Sequence, residues 1–396
     1  MSRMDFCTML AYDFMLKEVK KPKHDNVIVS PVSITLVLNM VAAGLKGSTL
    51  EYVLGLFGSE DINEINSKSL EIMSLAADVG STNNGDDGRP VLAMVNGAWA
   101  DQCFPFKPLY EENILKGIFD CEAKTVDFAT QAEKVRVEFN AWAEAVSRGL
   151  IKDFFRPGSP SSDTTLPLAN GLYFKGIWKH NYRFMVERTE RRDFYLLNGR
   201  TISVPFMTSS NMYWGGSFDG FKVLQIEYEN GKCRQQFYMS FFLPDERDGL
   251  QNLLEKLIIS KPETYYFNLA PVKLDEFWIP KFKLSYEFGV SEAMEAMGTP
   301  LFIANNPADF SEMIHNPEGD PFSQAEILHK ACIEIDEKGT EAAALTTAIF
   351  TPTSPCFPKL ETLSFVVDHP FVFILREARS GLVLFTGVVL DPSQSN

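Results

Sequence analysis

Ala331-Cys332-Ile333-Glu334-Ile335-Asp336 alternates apolar and polar side chains, the period of a half-buried strand. It runs into Glu337-Lys338-Gly339 and the small residues Thr340-Glu341-Ala342-Ala343-Ala344, where a turn and a return strand are expected. The chain instead continues through Leu345-Thr346-Thr347-Ala348-Ile349-Phe350 to a tip broken by Pro352, Pro355 and Pro358. Clear strand character resumes only at Leu363-Ser364-Phe365-Val366-Val367. A connection this long without periodicity is functional or disordered. Composition argues against disorder, because the segment is almost uncharged and rich in Ala, Thr and Ile. It reads as an exposed loop that can also be a strand.

Glu337-x-Gly339-Thr340-Glu341-Ala342-Ala343-Ala344 resembles the hinge of the reactive-centre loop in serpins, the suicide protease inhibitors. In that family the cleaved loop enters a sheet as a new strand. The resemblance implies an inward-facing set of Thr340, Ala342, Ala344 and Thr346, all small and uncharged. Glu341, Ala343, Leu345 and Thr347 then face the other side, which leaves the bulky Leu345 on the tolerant face. About ten new ladder hydrogen bonds at ~1 kcal/mol net each supply on the order of 10 kcal/mol. Losing one oxyanion-hole donor costs a protease only about 3–4 kcal/mol, so insertion is strong enough to distort a trapped acyl-enzyme.

The resemblance extends over nearly all of the chain. Asn26-Val27-Ile28-Val29-Ser30-Pro31-Val32-Ser33 reads as a short buried strand, a proline at a helix start and two capping hydroxyls. It is similar to the serpin junction beneath the main sheet. By the same resemblance Ser30, Ser33, Asn170, Trp178 and His329 belong to the structural shutter and breach where the sheet parts. Such a buried polar cluster must be fully hydrogen-bonded or it is costly. Further matches are Asn140-Ala141-Trp142, Ala169-Asn170-Gly171-Leu172-Tyr173-Phe174-Lys175-Gly176-Ile177-Trp178, Pro205-Phe206-Met207, Phe282, and Asp368-His369-Pro370-Phe371 with Phe385-Thr386-Gly387. Asn96-Gly97-Ala98-Trp99 and His329-Lys330-Ala331-Cys332-Ile333-Glu334 resemble the plant branch.

The implied fold is α+β, with three β-sheets around a large central one, about eight to nine helices and an exposed reactive-centre loop at about 337–361. No Pro/Gly/Ser linker divides residues 1–396, so one large domain is expected. Helical patterns dominate 4–20, 32–76 and 130–155, and strand-like runs dominate 165–290 and the C-terminal part, a mixture that reads as α+β.

A formal charge of −15 argues against nonspecific nucleic-acid binding. The best basic cluster, Lys17, Lys20, Lys21, Lys23 and His24, reads as a solvated helix end. No apolar run is long enough to span a bilayer, and the first fifteen residues lack signal-peptide organisation. The Asn-x-Ser/Thr glycosylation pattern is absent. Cys7, Cys103, Cys121, Cys233, Cys332 and Cys356 are scattered without pair spacing, which suits a reduced compartment, cytosol or nucleus. No metal-ligating spacing, nucleophile elbow or P-loop occurs, so no cofactor is expected and an enzyme is disfavoured. The competing reading is a noninhibitory serpin that binds, stores or chaperones. Such members often carry bulky, charged or proline residues where this chain has Thr340, Ala342 and Ala344.

In the usual inhibitory register, 17 residues counted from Glu337 end at Thr353, so Thr353-Ser354 is the expected scissile bond. A small neutral Thr353 does not suit the acidic pocket of a trypsin-like protease. The expected partner of the monomer is an elastase-like or subtilisin-like serine protease, or a papain-like cysteine protease. Phe350 is the alternative for a chymotrypsin-like target.

Overall fold

A computed structural model describes residues 5–23, 25–80, 90–147, 149, 151–162, 164–231, 234–260, 262–299, 307–316, 325–340 and 362–394. Its central sheet runs in the order Phe282–Gly289, Ala325–Ile335, Leu166–Ile177, Val91–Asp101, Glu122–Val126. Ala325–Ile335 and Leu166–Ile177 are parallel, in register from Ala325 opposite Leu166 to Cys332 opposite Tyr173. The other two expected sheets are stitched together through Ala270–Pro280. Its first half pairs with Met212–Phe218, and its end pairs with Thr201–Met207. Thr362–Val366 lies parallel beside the same strand.

The alternation of Ala325–Ile335 sends Ile327, His329, Ala331, Ile333 and Ile335 inward. Leu166, Leu168, Asn170, Leu172 and Phe174 of the neighbouring strand share that inner face. Beneath it lies the buried helix Pro31–Ala42, started by Ser30 and by a proline in its first turn, where the missing N–H costs nothing. The outer face carries helix Phe128–Val146. Gly97 and Gly171 make room there, since a Cβ would meet the Trp142 ring at 2.9 Å and Ile151 Cδ1 at 2.6 Å.

Nine α-helical segments lie among the described residues. The expected helix over 130–155 stops at Val146, and Ile151, Phe154 and Phe155 belong to a return segment packed against it. Residues 32–76 divide into Pro31–Ala42, Gly47–Phe57 and Ile62–Gly80, and 165–290 also holds the helix Leu250–Ile259. Lys17, Lys20, Lys21 and Lys23 each pair with a carboxylate, Asp13, Glu255, Glu18 and Asp25 respectively. The basic cluster is therefore neutralised in place, and His24 lies outside the described residues. Among the described residues no disulfide joins Cys7, Cys103, Cys121 and Cys332, while Cys233 and Cys356 fall outside. No helix among the described residues is long and apolar enough to cross a membrane.

Candidate functional site: the seam of the central sheet

The ladder between Ala325–Ile335 and Leu166–Ile177 closes only as far as Cys332 and Tyr173. Above that level the chain turns back at once. Asp336 Oδ1 accepts the N–H groups of Lys338 (2.8 Å) and Gly339 (3.1 Å), and Gly339–Thr340 then pair antiparallel with Ile177 and Gly176. The sequence had suggested that no return strand follows the turn, and the structure corrects this. The return exists and is two residues long, seated in the mouth of the seam.

Each hinge residue that is described has a physical reason to be there. Gly339 has φ +144°, and a Cβ would fall 2.2 Å from the Gly176 carbonyl oxygen, so only glycine fits. Thr340 is buried, with its hydroxyl 2.9 Å from the Tyr228 hydroxyl. Glu337 is buried too. It accepts from Lys281 Nζ (2.8 Å) and Thr189 Oγ1 (2.7 Å). Burial works to raise the pKa of this carboxyl, but these bonds outweigh it and the net shift is downward. Trp178 closes the top. Its indole N–H donates to the Asp336 carbonyl (2.9 Å), its backbone N–H donates to Lys338 O (2.8 Å), and its ring stacks on Tyr228 at 4.4 Å. Glu341, Ala342, Ala343, Ala344, Thr353 and Ser354 lie outside the described residues.

Lower in the seam, one row of inward side chains crosses the sheet: Phe288 opposite His329, His329 opposite Asn170, Asn170 opposite Asn96. The N–H of Ser30 donates to His329 Nε2 (3.0 Å), which makes Nε2 the acceptor and puts the ring proton on Nδ1. Nδ1–H then faces Ser33 Oγ at 3.2 Å, and Ser30 Oγ accepts the Ser33 N–H. Asn170 donates to Asn96 Oδ1, and Asn96 donates to the Phe119 carbonyl (2.7 Å). Asn170 Oδ1 is buried and has no partner among the described residues; a buried acceptor left without one costs about 1–3 kcal/mol. On the outer face Lys330 Nζ donates to the carbonyls of Lys152 (2.7 Å) and Asp153 (3.1 Å), tying the return segment across the seam.

The structure thus brings Ser30, Ser33, Asn170 and His329 together, and places Trp178 with the hinge. Asn96, Tyr228, Lys281 and Thr189 were not anticipated as site residues. Asn96 left a signal as a polar residue in an apolar run, whereas Tyr228 left none.

Burial pushes the pKa of His329 down to about 3, so the folded ring is neutral. An unfolded imidazole titrates near 6.5, so below that pH the unfolded chain takes up a proton that the folded chain refuses. Stability should therefore fall with acidification by about 1.4 kcal/mol per pH unit between roughly 6.5 and 3. Denaturant titrations at pH 7 and pH 5 should show the wild type losing about 2 kcal/mol more than His329→Phe. Equal losses would mean that the ring is already charged in the fold.

A chain built in this way has relatives. The family model for serpins (serine protease inhibitors) matches residues 5–392. The chain belongs to the serpin family. It is 39% identical over 374 residues to Serpin-ZX of Arabidopsis thaliana, covering 93% of each, and 36% identical to Serpin-Z1C of Triticum aestivum, covering 95% of this chain and 92% of that one. Among solved structures, Arabidopsis AtSerpin1 in its native stressed conformation superposes with a TM-score of 0.83. The identity is 35%, with 99% of this chain and 100% of that chain covered. The serpin fold and the likeness to plant serpins are therefore established, with the seam as its central feature.

Proposed function

We propose that this serpin is a suicide-substrate inhibitor, acting as a single domain over 1–396, that traps a protease by inserting its reactive-centre loop, about 337–361, into the seam. The reading is carried by one observation: Gly339 and Thr340, close to the start of the loop, already occupy the mouth of the seam in strand register. Continuing the antiparallel register two residues at a time from Thr340 opposite Gly176 puts Ala342 opposite Phe174, Ala344 opposite Leu172 and Thr346 opposite Asn170. Small uncharged side chains would thus meet the inner face, and the Thr346 hydroxyl would reach the level of the orphaned Asn170 Oδ1. Insertion splits eight register pairs between Ala325–Cys332 and Leu166–Tyr173, but the arriving strand bonds to both edges, a net gain of one ladder.

The protease attacks the carbonyl of Thr353 and forms an ester or thioester to it, releasing Ser354 as the new N-terminus. Glu337 and Gly339 hold the fixed end of the hinge, while Thr340, Glu341, Ala342, Ala343 and Ala344 enter first. Ser30, Ser33, Asn170 and His329 make the polar row that must be rebuilt as the strand passes, and Trp178 holds the entrance. Thr353 favours an elastase-like or subtilisin-like serine protease, or a papain-like cysteine protease, over a trypsin-like one. The setting is cytosolic or nuclear, the protein monomeric, and no cofactor is required.

The test is incubation with a panel of such proteases. A covalent band on a denaturing gel and a cut mapped to Thr353-Ser354 by mass spectrometry are expected. Clean loop cleavage throughout the panel, with no covalent band, would favour the noninhibitory alternative.

A further inference from the structure

Every residue of helix Pro31–Ala42 is buried except Thr35, which is half-buried. The exception has a cause. Pro31, Thr35 and Asn39 stand four residues apart and so share one face of the helix. That face, with Val32, borders a cavity of about 570 Å³. Across it, helix Ile62–Gly80 presents Ile65, Ile72 and Leu75. The two helices are pinned beside the cavity: Asn39 Nδ2 donates to Ser69 Oγ (2.8 Å), and Ser69 Oγ donates to the Ile65 carbonyl (2.9 Å). Phe6 and Phe57, edge to face at 6.1 Å, add to the apolar walls. Phe6, Val32, Ile65 and Ile72 are buried, so the cavity reaches into the core.

The mouth is exposed and polar, with Asp5, Lys68, Glu71 and Ser380 around it. Lys68 Nζ is held by Glu64 Oε1 at 2.6 Å, so its charge is already balanced. Asp5 is met by neutral donors, the N–H and the hydroxyl of Thr8. Among the described residues no ion pair engages Glu71. The mouth thus carries an excess of two acidic groups, in a protein whose formal charge is −15. Inside, the Thr35 hydroxyl donates its proton to the Pro31 carbonyl (2.9 Å), which leaves it only lone pairs to offer. Acceptors over apolar walls are what this cavity presents to a ligand.

We infer that this cavity is a binding site for a small amphipathic amine, its apolar body against Phe6, Ile65 and Ile72 and its ammonium at Asp5 and Glu71. The volume falls within the roughly 300–1,000 Å³ of small-molecule sites, which pair mainly apolar walls with a few placed polar groups. An ammonium carries donors only, so it complements a rim of acceptors. A carboxylate of the same length would meet Asp5 and Glu71 as like charges and would have to draw Lys68 away from Glu64. The site lies apart from the hinge, and the inference holds whether or not the protein inhibits a protease.

The probes are n-hexylamine, n-octylamine and octanoate, titrated at pH 7 into the full-length protein and followed by methyl NMR and calorimetry. Octylamine should shift the methyl signals of Ile65, Ile72 and Leu75 and leave that of Ile335, at the top of the seam, in place. It should bind about 15-fold more tightly than hexylamine, about fourfold for each added CH₂ that is buried. Octanoate should bind at least about tenfold more weakly than octylamine. Leu75→Trp should fill the cavity and abolish binding. If that variant fails to fold, Glu71→Gln, on the exposed rim, should weaken octylamine by about two- to fivefold. Octanoate binding as tightly as octylamine, no dependence on chain length, or shifts scattered over the acidic surface overturn the inference. So does octylamine binding only to a variant lacking residues 1–4, since the segment before Asp5 would then be the occupant.

Discussion

Cutting the chain once within residues 341–361 should raise its melting temperature by about 12 °C. Gly339 and Thr340 already sit in the mouth of the seam, and by the proposed mechanism the rest of the loop follows them into the sheet as a strand once the chain is cut. After a cut, the register begun by those two residues can run on past Asn170. About ten ladder hydrogen bonds at ~1 kcal/mol net give on the order of 10 kcal/mol. An unfolding entropy of about 2.1 cal/mol/K per residue over this length is roughly 0.8 kcal/mol/K, which converts that gain into about 12 °C. A second contribution is local. By the proposed register the Thr346 hydroxyl would reach Asn170 Oδ1, which has no partner among the described residues, so Thr346→Val should reduce the rise by about 1–4 °C while leaving the uncut protein unchanged. Calorimetry before and after limited proteolysis decides the matter. An unchanged melting temperature would mean that the cut segment stays outside the sheet, whatever the hinge letters suggest.

Part of the fold is legible in the sequence, because the period of two in Ala325–Ile335 and the apolar run Leu166–Ile177 announce a half-buried strand beside a buried one. The hinge letters drew attention to the right turn. What stayed hidden depends on partners distant in the chain. Gly339–Thr340 turn back into the sheet because Trp178 grips the Asp336 and Lys338 carbonyls and Tyr228 receives Thr340 from 112 positions away. No local pattern encodes that. The overlong helix over 130–155 has a different cause. Ile151, Phe154 and Phe155 look like further turns of an amphipathic helix, yet they fill the outer face because Asn140 binds the backbone of Phe155 through both its amide atoms (2.8 and 2.9 Å). In Leu250–Ile259 the helical spacing of Leu250, Leu253, Leu254 and Leu257 was present, and strand-rich surroundings obscured it.

Thr340→Arg should convert the protein from inhibitor to substrate. Thr340 is 1% exposed, and among the described residues its side chain bonds to the Tyr228 hydroxyl, under the stacked Trp178 ring. An arginine cannot shed its charge, and a buried unpaired guanidinium costs several kcal/mol. That cost falls on the first step of insertion, in competition with deacylation of the trapped protease. Each 1.4 kcal/mol added to the insertion barrier shifts this partition tenfold, so more than ten molecules should be consumed per protease inactivated. Cleavage of the loop itself should continue at close to the normal rate, because the scissile region is untouched. Thr340→Ser keeps the hydroxyl and should behave as wild type, and Glu341→Arg, on the opposite face, should have little effect. The rise in melting temperature on cutting should also shrink in Thr340→Arg, since both results draw on the same strand. If stoichiometry is unchanged while the cut variant still gains its full stability, the seam accepts the loop by a register other than the one Gly339 and Thr340 begin.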